Sequence, residues 1–546
     1  MISLLRTLLA ATLLLAGAAL LAPEAPATSV VSTSATTSPG RPNVLVIMTD
    51  DMRYDELLYV PTVRREIQQR GLTWSNAFST TPLCCPARAS FFTGKLEHNH
   101  GVLSHRKPYG YQAFDDSRTL ATALRGVGYQ TGFVGKYLNG YGPDRPKEAP
   151  RRANSFTYVP NGWTDWRGSV DQSPFHAPDP RSGSTYNYFH MTLNVNGRLV
   201  GHPRTYSSDV VADNTRAILH RFTARSAPWF VVMNPVNPHY GGPREPDDPA
   251  PGFKTPARPG WVKGKYDDVI RQAPGLPPGP TEKDISDKIR ATRRFPELGP
   301  GARGAVTRIA RQRAESLFAL DRSLGPVFAQ LESSGELANT IIVFTSDNGY
   351  MLGEHHYPQG KVVGYDPSYR IPMLMAGPGI PQGTRSSPIT LVDLSATILK
   401  WTGATLAGGD GRSVIPDIAA DHGWKRPLVY ESKFPGVHAR AGVQGFDNRT
   451  AIGVRTARFM YTRYASGESE LFDLRKDPLE LQSVAGWRTY AGVRASLMKV
   501  WRQIAYCKRS ACQPLLPASL ATDASATTQL RDLLTTAQAD YYGVPR

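Results

Sequence analysis

Cysteine is scarce in this sequence, with four residues among 546. Four cysteines allow two disulfides at most, so a chain of this length depends on a buried core for its stability. Beyond the N-terminal segment, no apolar run is long enough to cross a membrane. Acidic residues are also few, 46 against 63 basic ones, and the formal net charge is +17. This balance favours anionic over cationic macromolecular partners.

The first 27 residues have the pattern of a secretory signal peptide. Arg6 precedes an apolar run, and Ala25-Pro26-Ala27 offers a cleavage site. An uncleaved anchor helix is the alternative, because the run is only marginally long enough to span a bilayer. Residues 28–40 are rich in serine and threonine and predict a disordered leader. We therefore expect a secreted or extracytoplasmic protein that has no membrane contact after signal removal.

An exported chain with this charge favours anionic partners. Removal of residues 1–27 takes away Arg6 and Glu24, so the net charge stays at +17. Nucleic acid, acidic cell wall and sulfated glycan all satisfy that charge. A basic surface without a specific partner is the alternative.

Strand-like and helix-like patterns alternate through the larger part of the chain, which predicts an α/β domain with a mostly parallel sheet over residues 41–415. Asn196-Gly197 indicates a hairpin, and residues 241–303 predict a long surface excursion. From residue 416 to 546 we predict a smaller α+β domain, with antiparallel strands at 451–464 and a helix near 485–505. The strands of the larger domain are predicted at 43–48, 129–135, 229–233 and 341–344, and its helices at 61–71, 117–128, 207–222, 305–331 and 391–403.

Polar side chains follow each of the four predicted strands. Asp50 and Asp51 follow the first, Lys136 the second, His239 comes shortly after the third, and Asp347 and Asn348 follow the fourth. Sites in open α/β sheets gather beyond the carboxyl ends of the strands. The oxygen-bearing set, without nearby cysteine or histidine ligands, favours calcium or magnesium over zinc. Taken singly, each Asp or Asn here is also typical of a turn or helix cap.

The four cysteines fall into two pairs along the sequence. Cys507 and Cys512 have the spacing of a short-loop disulfide, which leaves Cys84 and Cys85 as adjacent thiols that would strain a mutual bridge. The stretch CCPARASFFTG, with Cys84, Pro86 and Arg88 in C-x-P-x-R spacing, resembles the signature of the type I sulfatases. Two inert buried cysteines before a helix are the alternative.

The resemblance extends from RPNVLVIMTDD to the C-terminal domain. TSDNGYMLGEH and GKVVGYDPSYRIPMLMAGPG match the family's second metal segment and its lysine segment, and ELFDLRKDPLE resembles its C-terminal motif. GKYLNGYG, EHNHGV and KDISDK look most like the N-acetylglucosamine-6-sulfatase branch. The resemblance implies an alkaline-phosphatase-like large sheet flanked by helices, with a small C-terminal α+β domain that contains an antiparallel sheet.

The resemblance also implies a mechanism. Cys84 is oxidised to Cα-formylglycine by the formylglycine-generating enzyme, and one hydroxyl of its hydrate attacks sulfur while the other later expels sulfate. One Ca²⁺ is held by Asp50, Asp51, Asp347 and Asn348. Arg88 orients the hydrate; Lys136, His239 and Lys361 bind sulfate, with His239 or Lys361 protonating the leaving oxygen. Cys85 is a small buried neighbour.

One departure concerns the segment after Lys136. Many sulfatases carry a histidine two places after that lysine, and this chain has Leu138. His98 and His100 are candidates for the missing role, although surface histidines are the simpler interpretation, and the role stays unassigned.

The predicted partners are a sulfated carbohydrate, including glycosaminoglycan, or another sulfate ester, and no specific nucleic acid. Three alternatives remain open: an arylsulfatase acting on small esters, a phosphomonoester or phosphonate hydrolase, and a non-catalytic binder of sulfated polymer with unconverted Cys84.

Overall fold

The structure, a computed structural model, describes residues 40–147, 149–150 and 154–543. The predicted signal peptide, residues 1–27, and all but the last residue of the predicted leader lie outside the described residues. Among the helices that the structure describes, none combines the length and the apolarity needed to cross a membrane. From Arg41 onward the described chain forms one compact unit. The predicted boundary between residues 415 and 416 stays a prediction.

The elements are labelled in chain order. The strands are β1 (Asn43–Thr49), β2 (Leu72–Trp74), β3 (Ala77–Phe78), β4 (Gln130–Lys136), β5 (Asp165–Ser169), β6 (His190–Val195), β7 (Arg198–Pro203), β8 (Trp229–Asn234), β9 (Thr340–Ser346), β10 (Met373–Ala376), β11 (Gly383–Arg385), β12 (Ile389–Thr390), β13 (Leu428–Ser432), β14 (Ala451–Arg455), β15 (Phe459–Tyr464) and β16 (Ser469–Asp473). The α-helices are α1 (Pro61–Val63), α2 (Cys84–Thr93), α3 (Glu97–His100), α4 (Leu120–Gly126), α5 (Ser207–Thr223), α6 (Pro300–Ser333), α7 (Asp366–Tyr369), α8 (Leu391–Thr402), α9 (Ile415–Ala419), α10 (Ala491–Ile504) and α11 (Ala524–Tyr542). Short 3₁₀ segments span Tyr54–Tyr59, Tyr111–Ala113, Ser155–Thr157, Gly260–Val262, Thr292–Arg294, Glu336–Asn339, Glu354–His356, Arg488–Tyr490 and Arg509–Cys512, and a π-helical turn spans Arg64–Gln68.

A ten-stranded mixed sheet forms the centre of the molecule, in the order β11-β2-β10-β9-β1-β8-β4-β5-β6-β7. Its central strands β9, β1, β8, β4 and β5 are mutually parallel. The pairs β10–β9 and β10–β2 on one side, and β5–β6 and β6–β7 on the other, are antiparallel. Helices cover both faces of such a sheet, which is why residues 44–48 of β1 are an uninterrupted apolar run and every residue of the strand is buried.

Local signals place the elements where the sequence predicts them. Pro61 opens α1, Thr119 caps α4 by accepting from the Thr122 backbone N–H, and Gly403 closes α8 in the left-handed conformation. The hairpin β6–β7 turns at Asn196 and Gly197, both with positive φ. The mostly parallel sheet with flanking helices and the separate small antiparallel sheet confirm the predicted fold class.

Residues 241–303 are mainly irregular, as predicted, but they are more than a surface excursion. Ile270, Ala273 and Leu276 are buried in a cluster with Ile309 and Ala314 of the long helix α6. This segment therefore packs against α6.

The C-terminal sheet has the order β13-β14-β15-β16 and is antiparallel throughout. Helix α10 packs Trp501 near it, and the Trp501 indole N–H donates to the Ile452 carbonyl at 3.0 Å. Cys507 and Cys512 form the predicted disulfide, and Cys84 and Cys85 are free and buried.

Candidate active site

Two strand tips bring the predicted oxygen ligands together. Strands β1 and β9 pair in parallel, with Thr49 opposite Ser346, so the residues that follow them emerge side by side. The Asp51 backbone N–H donates to Asp347 Oδ1 at 3.1 Å, and Asn348 Nδ2 donates to Asp51 Oδ1 at 2.7 Å. All four predicted ligands are fully buried. The structure thus unites residues that are almost 300 positions apart in sequence, as the strand-end argument predicts.

Asp51 has an unusual backbone conformation, with φ of 67°. Aspartate tolerates this left-handed region better than most residues, at a cost of about 1–3 kcal/mol. The Asp51 carbonyl accepts from Arg313 Nη2 at 2.6 Å, and Arg313 is itself ion-paired with Glu56. These contacts from α6 hold the strained turn in place.

Cys84 lies beside these carboxylates, at the first residue of helix α2. Its Sγ is 3.3 Å from Asp50 Oδ1 and 3.7 Å from Asp51 Oδ1, and Lys361 Nζ is 2.6 Å from the sulfur. Burial and then the neighbouring Asp50 raise the pKa of the Cys84 thiol well above its usual value, so the sulfur is a neutral thiol here. Cys85 points elsewhere, toward the Asn139 carbonyl at 3.7 Å.

Arg88 lies one helical turn after Cys84 and is fully buried. Its Nε donates to Asp347 Oδ2 at 2.7 Å, and its Nη1 donates to the Lys136 carbonyl at 2.9 Å. Burial alone would lower the pKa of Arg88, but Asp347 and Asp50 outweigh that effect and raise it. Arg88 therefore ties the tip of β9 to the tip of β4 and contributes fixed positive charge.

The ammonium groups of two lysines form ion pairs with the carboxylates of the site. Lys136 ends β4 and pairs with Asp50, and Lys361 pairs with Asp51. Burial would raise the pKa of Asp50, but Lys136 and His239 outweigh it and lower this pKa to about 2. In the same way the pKa values of both lysines are raised, because the nearby carboxylates overcome the effect of burial. The site is thus a compact set of alternating charges.

His239 completes the predicted set and borders a cavity. Its Nδ1 is 2.7 Å from the Tyr240 carbonyl, and its Nε2 is 3.7 Å from Asp51 Oδ2. The ring lies between Tyr186 and Tyr240, with centroid distances of 4.7 and 4.2 Å. Lys136 Nζ lies 5.1 Å from the centre of the Tyr186 ring. Burial lowers the pKa of His239 despite the opposing effect of Asp50 and Asp51.

The oxygen atoms at the ends of β1 and β9 suit a hard divalent cation as metal ligands. Asp51 Oδ2 and Asn348 Oδ1 are buried, and neither has a hydrogen-bond partner among the described residues. A buried oxygen left unpaired is unfavourable by about 1–3 kcal/mol, and a cation ligated by oxygen removes that penalty. Because Asn348 Nδ2 already donates to Asp51, its free oxygen is the atom available to a metal.

A cavity of about 460 Å³ opens beside His239. Apart from His239, the residues that line it were not predicted as site residues, and most of them come from the irregular segment 241–303. No local motif marks them, since each is an ordinary aromatic or polar residue until the fold brings it to His239. The lining includes His105, Asn139, Tyr186, Tyr240, Arg244 and Lys254.

His98 and His100 have structural roles, and the interpretation of both as surface histidines is wrong. His98 Nδ1 is 2.5 Å from Glu431 Oε1, and its Nε2 is 2.7 Å from the Cys507 carbonyl. His100 Nε2 is 2.9 Å from Ser90 Oγ. Leu138, which stands where many sulfatases have a histidine, is fully buried in the core. Both ring nitrogens of His98 connect α3 to the C-terminal region, so this histidine is already engaged.

Comparisons with known proteins agree with this geometry. Residues 42–404, more than half of the chain, match the family described as Sulfatase, and residues 353–506 match the family described as N-sulphoglucosamine sulphohydrolase, C-terminal. An arylsulfatase of Volvox carteri is 29% identical over 515 residues, covering 86% of this chain and 76% of the relative. The N-acetylglucosamine-6-sulfatase of Homo sapiens is 30% identical over 423 residues, covering 72% and 68%.

The architecture is shared with solved structures. The structure of BT4656 in complex with its substrate D-glucosamine-2-N,6-O-disulfate superposes with a TM-score of 0.61 at 21% identity, covering 86% of this chain and 98% of the other. This likeness shows the alkaline-phosphatase-like fold. Together with the family matches, it establishes that the chain belongs to the sulfatase family and is a sulfuric ester hydrolase.

Proposed function

We propose that this protein is a secreted, calcium-dependent sulfatase that acts on a sulfated sugar, such as 6-sulfated N-acetylglucosamine, with Cys84 converted to formylglycine. The observation that carries the proposal is the position of Cys84, whose sulfur lies 3.3 Å from Asp50 Oδ1 and 2.6 Å from Lys361 Nζ. A group at that position faces both the predicted metal ligands and the predicted sulfate-binding cations.

Asp50, Asp51, Asp347 and Asn348 would hold the Ca²⁺. The free oxygens of Asp51 and Asn348 support this assignment. When bound, the ion offsets charge on a sulfate oxygen and favours deprotonation of a nearby hydroxyl. The hydrated aldehyde at position 84 supplies one hydroxyl as nucleophile toward sulfur and a second for release of sulfate.

The chain's own cations bind and orient the ester. Asp50 and Asp51 hold the ammonium groups of Lys136 and Lys361 at the site. These positive charges would attract a sulfate group bound beside Cys84. Arg88 holds the ends of β9 and β4 together and adds a positive charge to the site. Helix α2 begins at Cys84, and the positive end of its dipole also favours an anion there.

The proton for the leaving alcohol comes from His239 or Lys361. Of the two, His239 lies on the wall of the cavity, where the rest of the substrate would lie. The Tyr240 carbonyl accepts from Nδ1 and fixes the ring, so Nε2 is the nitrogen directed toward the reacting groups, and as general acid His239 would give its proton from Nε2 of the imidazolium. General acid catalysis of this kind typically contributes about 10²- to 10⁴-fold.

The cavity supports a sugar as the alcohol part of the ester. Its volume of about 460 Å³ suits a small ligand, and its walls combine aromatic rings with amide, imidazole and cationic groups. The curated N-acetylglucosamine-6-sulfatase and the solved complex with a sulfated glucosamine support the same substrate class. The relation to an arylsulfatase keeps small aryl esters as the second candidate.

A substrate panel tests the function. The converted protein should hydrolyse 6-sulfated N-acetylglucosamine, and chelator should abolish turnover until calcium is restored. Sulfated polysaccharides and an aryl sulfate complete the panel, with Cys84→Ala as the inactive control. Turnover of the aryl ester alone would reject the sugar assignment, and turnover of a phosphonate ester in preference to every sulfate would reject sulfatase specificity.

The state of Cys84 requires a separate test. Peptide mass spectrometry of purified protein, co-expressed with the formylglycine-generating enzyme, should show the aldehyde in place of the thiol at position 84. An intact thiol in protein from this converting host would favour the non-catalytic binder of sulfated polymer. Export is tested by sequencing the N-terminus of protein collected outside the cell, where we expect cleavage after Ala27.

A further inference from the structure

His105 is a histidine to which the proposed reaction assigns no role. It lines the same cavity as His239, and its Nε2 is buried without a hydrogen-bond partner among the described residues. A buried polar atom left unpaired is unfavourable by about 1–3 kcal/mol. Such an atom beside a ligand cavity is explained if the ligand supplies the missing partner.

The loop that carries His105 is tightly closed. The backbone N–H groups of Leu103 and Ser104 both donate to the Tyr109 carbonyl, at 2.8 and 3.1 Å, and the Tyr109 N–H donates back to the Arg106 carbonyl at 3.0 Å. A Cβ on Gly110 would lie 2.9 Å from the His105 carbonyl oxygen, which shows how closely the two ends of the loop pack. The backbone of His105 is therefore fixed in place.

The electrostatic surroundings of His105 are those of the sulfate-binding groups. Burial first, and then interactions with Lys361, Lys136 and His239, lower the pKa of His105 well below its usual value. These three residues are the groups assigned to sulfate above. The lowered pKa favours the neutral imidazole, which has one N–H to donate.

Other histidines with an unpaired Nε2 do not share this position. In the part of the chain that the structure describes, they are His202 and His355. His355 Nδ1 is 2.8 Å from Glu282, and its ring lies against Tyr365. His202 lies on β7, and burial alone lowers its pKa. His202 is therefore a matched control, half-buried and unpaired but away from the cavity lining.

We propose that His105 is a further sulfate-binding residue, whose Nε2–H donates a hydrogen bond to an oxygen of the sulfate group held by Lys136, Lys361 and His239. This inference rests on the proposed function. Because the bond goes to the sulfate rather than to the sugar, the same contact is made with every sulfate ester that the protein accepts.

The test compares His105→Ala, His105→Gln and His202→Ala in two assays. The first is kcat/KM of the converted protein for a sulfated sugar and for an aryl sulfate. The second is the Kd of inorganic sulfate for the calcium-loaded Cys84→Ser protein, measured by calorimetry, which does not depend on turnover. A hydrogen bond to a charged group corresponds to about 10- to 100-fold.

We expect His105→Ala to lower kcat/KM for both esters, and to weaken sulfate binding, by about 10- to 100-fold. His105→Gln should restore part of the activity and part of the sulfate affinity. His202→Ala should change neither kcat/KM nor the Kd of sulfate. Loss confined to the sugar ester, or unchanged sulfate affinity in both His105 variants, would overturn the inference. Absence of turnover by the wild-type protein on every ester would instead reject the proposed function. If His105→Ala does not fold, His105→Gln decides the question alone.

Discussion

Thr49 of β1 and Ser346 of β9 lie opposite each other in a parallel ladder, and the next residue after each is an aspartate. This register places Asp50, Asp51, Asp347 and Asn348 at one edge of the sheet. Cys84 reaches the same point because helix α2 begins beside it.

Calcium should stabilise the folded protein through the four oxygen ligands. In the Cys84→Ser background, addition of calcium to chelator-treated protein should raise Tm, because a ligand at about 100 times its Kd contributes about 2.7 kcal/mol. Asp51→Asn should abolish that rise. Asp247→Asn is the control, since Asp247 belongs to a separate acidic group with Glu245 and Asp248 and is half exposed. Loss of the rise in the control, or its persistence in Asp51→Asn, would contradict the assignment.

Arg88→Ala should destabilise the protein by about 3–5 kcal/mol, because it leaves Asp347 buried without its partner. Urea unfolding followed by circular dichroism measures the free energy of unfolding. Arg70→Ala is the matched control, because its pair with Glu66 lies at the surface, and we expect a loss below about 1 kcal/mol. Similar losses in the two variants would show that the Arg88 contacts are not what holds the strand tips together.

Gly135→Ala should disturb the site through the backbone. Gly135 has φ of 98°, and a Cβ there would lie 2.1 Å from the Asn234 carbonyl oxygen. The unfavourable φ alone costs about 1–3 kcal/mol, and the neighbouring Lys136 must shift with it. We expect lower stability and reduced kcat/KM, measured by urea unfolding and initial rates.

Gly126→Ala is the comparison for that variant. Gly126 ends α4, and a Cβ there meets nothing within 4 Å. Alanine in a helix is more stable than glycine by about 0.5–1 kcal/mol, so this variant should be at least as stable as the wild type, with full activity. A Gly135→Ala variant that behaved like Gly126→Ala would refute the steric argument.

The pair of His98 with Glu431 should make stability depend on pH. Burial would lower the pKa of His98, but Glu431 outweighs it and raises this pKa above 6.5. A raised pKa in the folded state stabilises the protein below the unfolded pKa, and the contribution is lost as pH rises through the folded pKa. The difference in Tm between wild type and His98→Gln should therefore be larger at about pH 5.5 than at about pH 9.

Differential scanning calorimetry at the two pH values checks this prediction. His220→Gln serves as the control, because His220 lies exposed on α5. A Tm difference for His98→Gln that is constant, or larger at high pH, would show that the pair does not contribute in its charged form.

The central strands were predictable because each is buried on both faces. The runs VLVIM and WFVVM have no polar residue, and β1 and β8 contain them. The caps and glycines that bound α4 and α8 are equally local. The grouping of the polar residues that follow these strands was predictable from the fold class alone, since the carboxyl ends of parallel strands share one edge.

Other features could not be read in this way. The burial of Ile270 and Leu276 depends on α6 passing beside an irregular segment that has no periodic pattern of its own. The engagement of His98 depends on Glu431, 333 positions away. The aromatic wall around His239 brings Tyr186 from a different loop. Each is a contact between segments whose separate sequences carry no sign of the other.

The sequence by itself determined the central strands β1, β4, β8 and β9, the β6–β7 hairpin, the β14–β15 pair and helices α4, α5, α6, α8 and α10. It also determined the C-x-P-x-R segment and the polar residues at the strand ends, because periodicity, burial and turn chemistry act over short stretches of chain. Only the tertiary structure decided which polar atoms are left unpaired and which residues wall the cavity. Those properties arise where distant segments meet, and their energies depend on distances that no single stretch of sequence specifies.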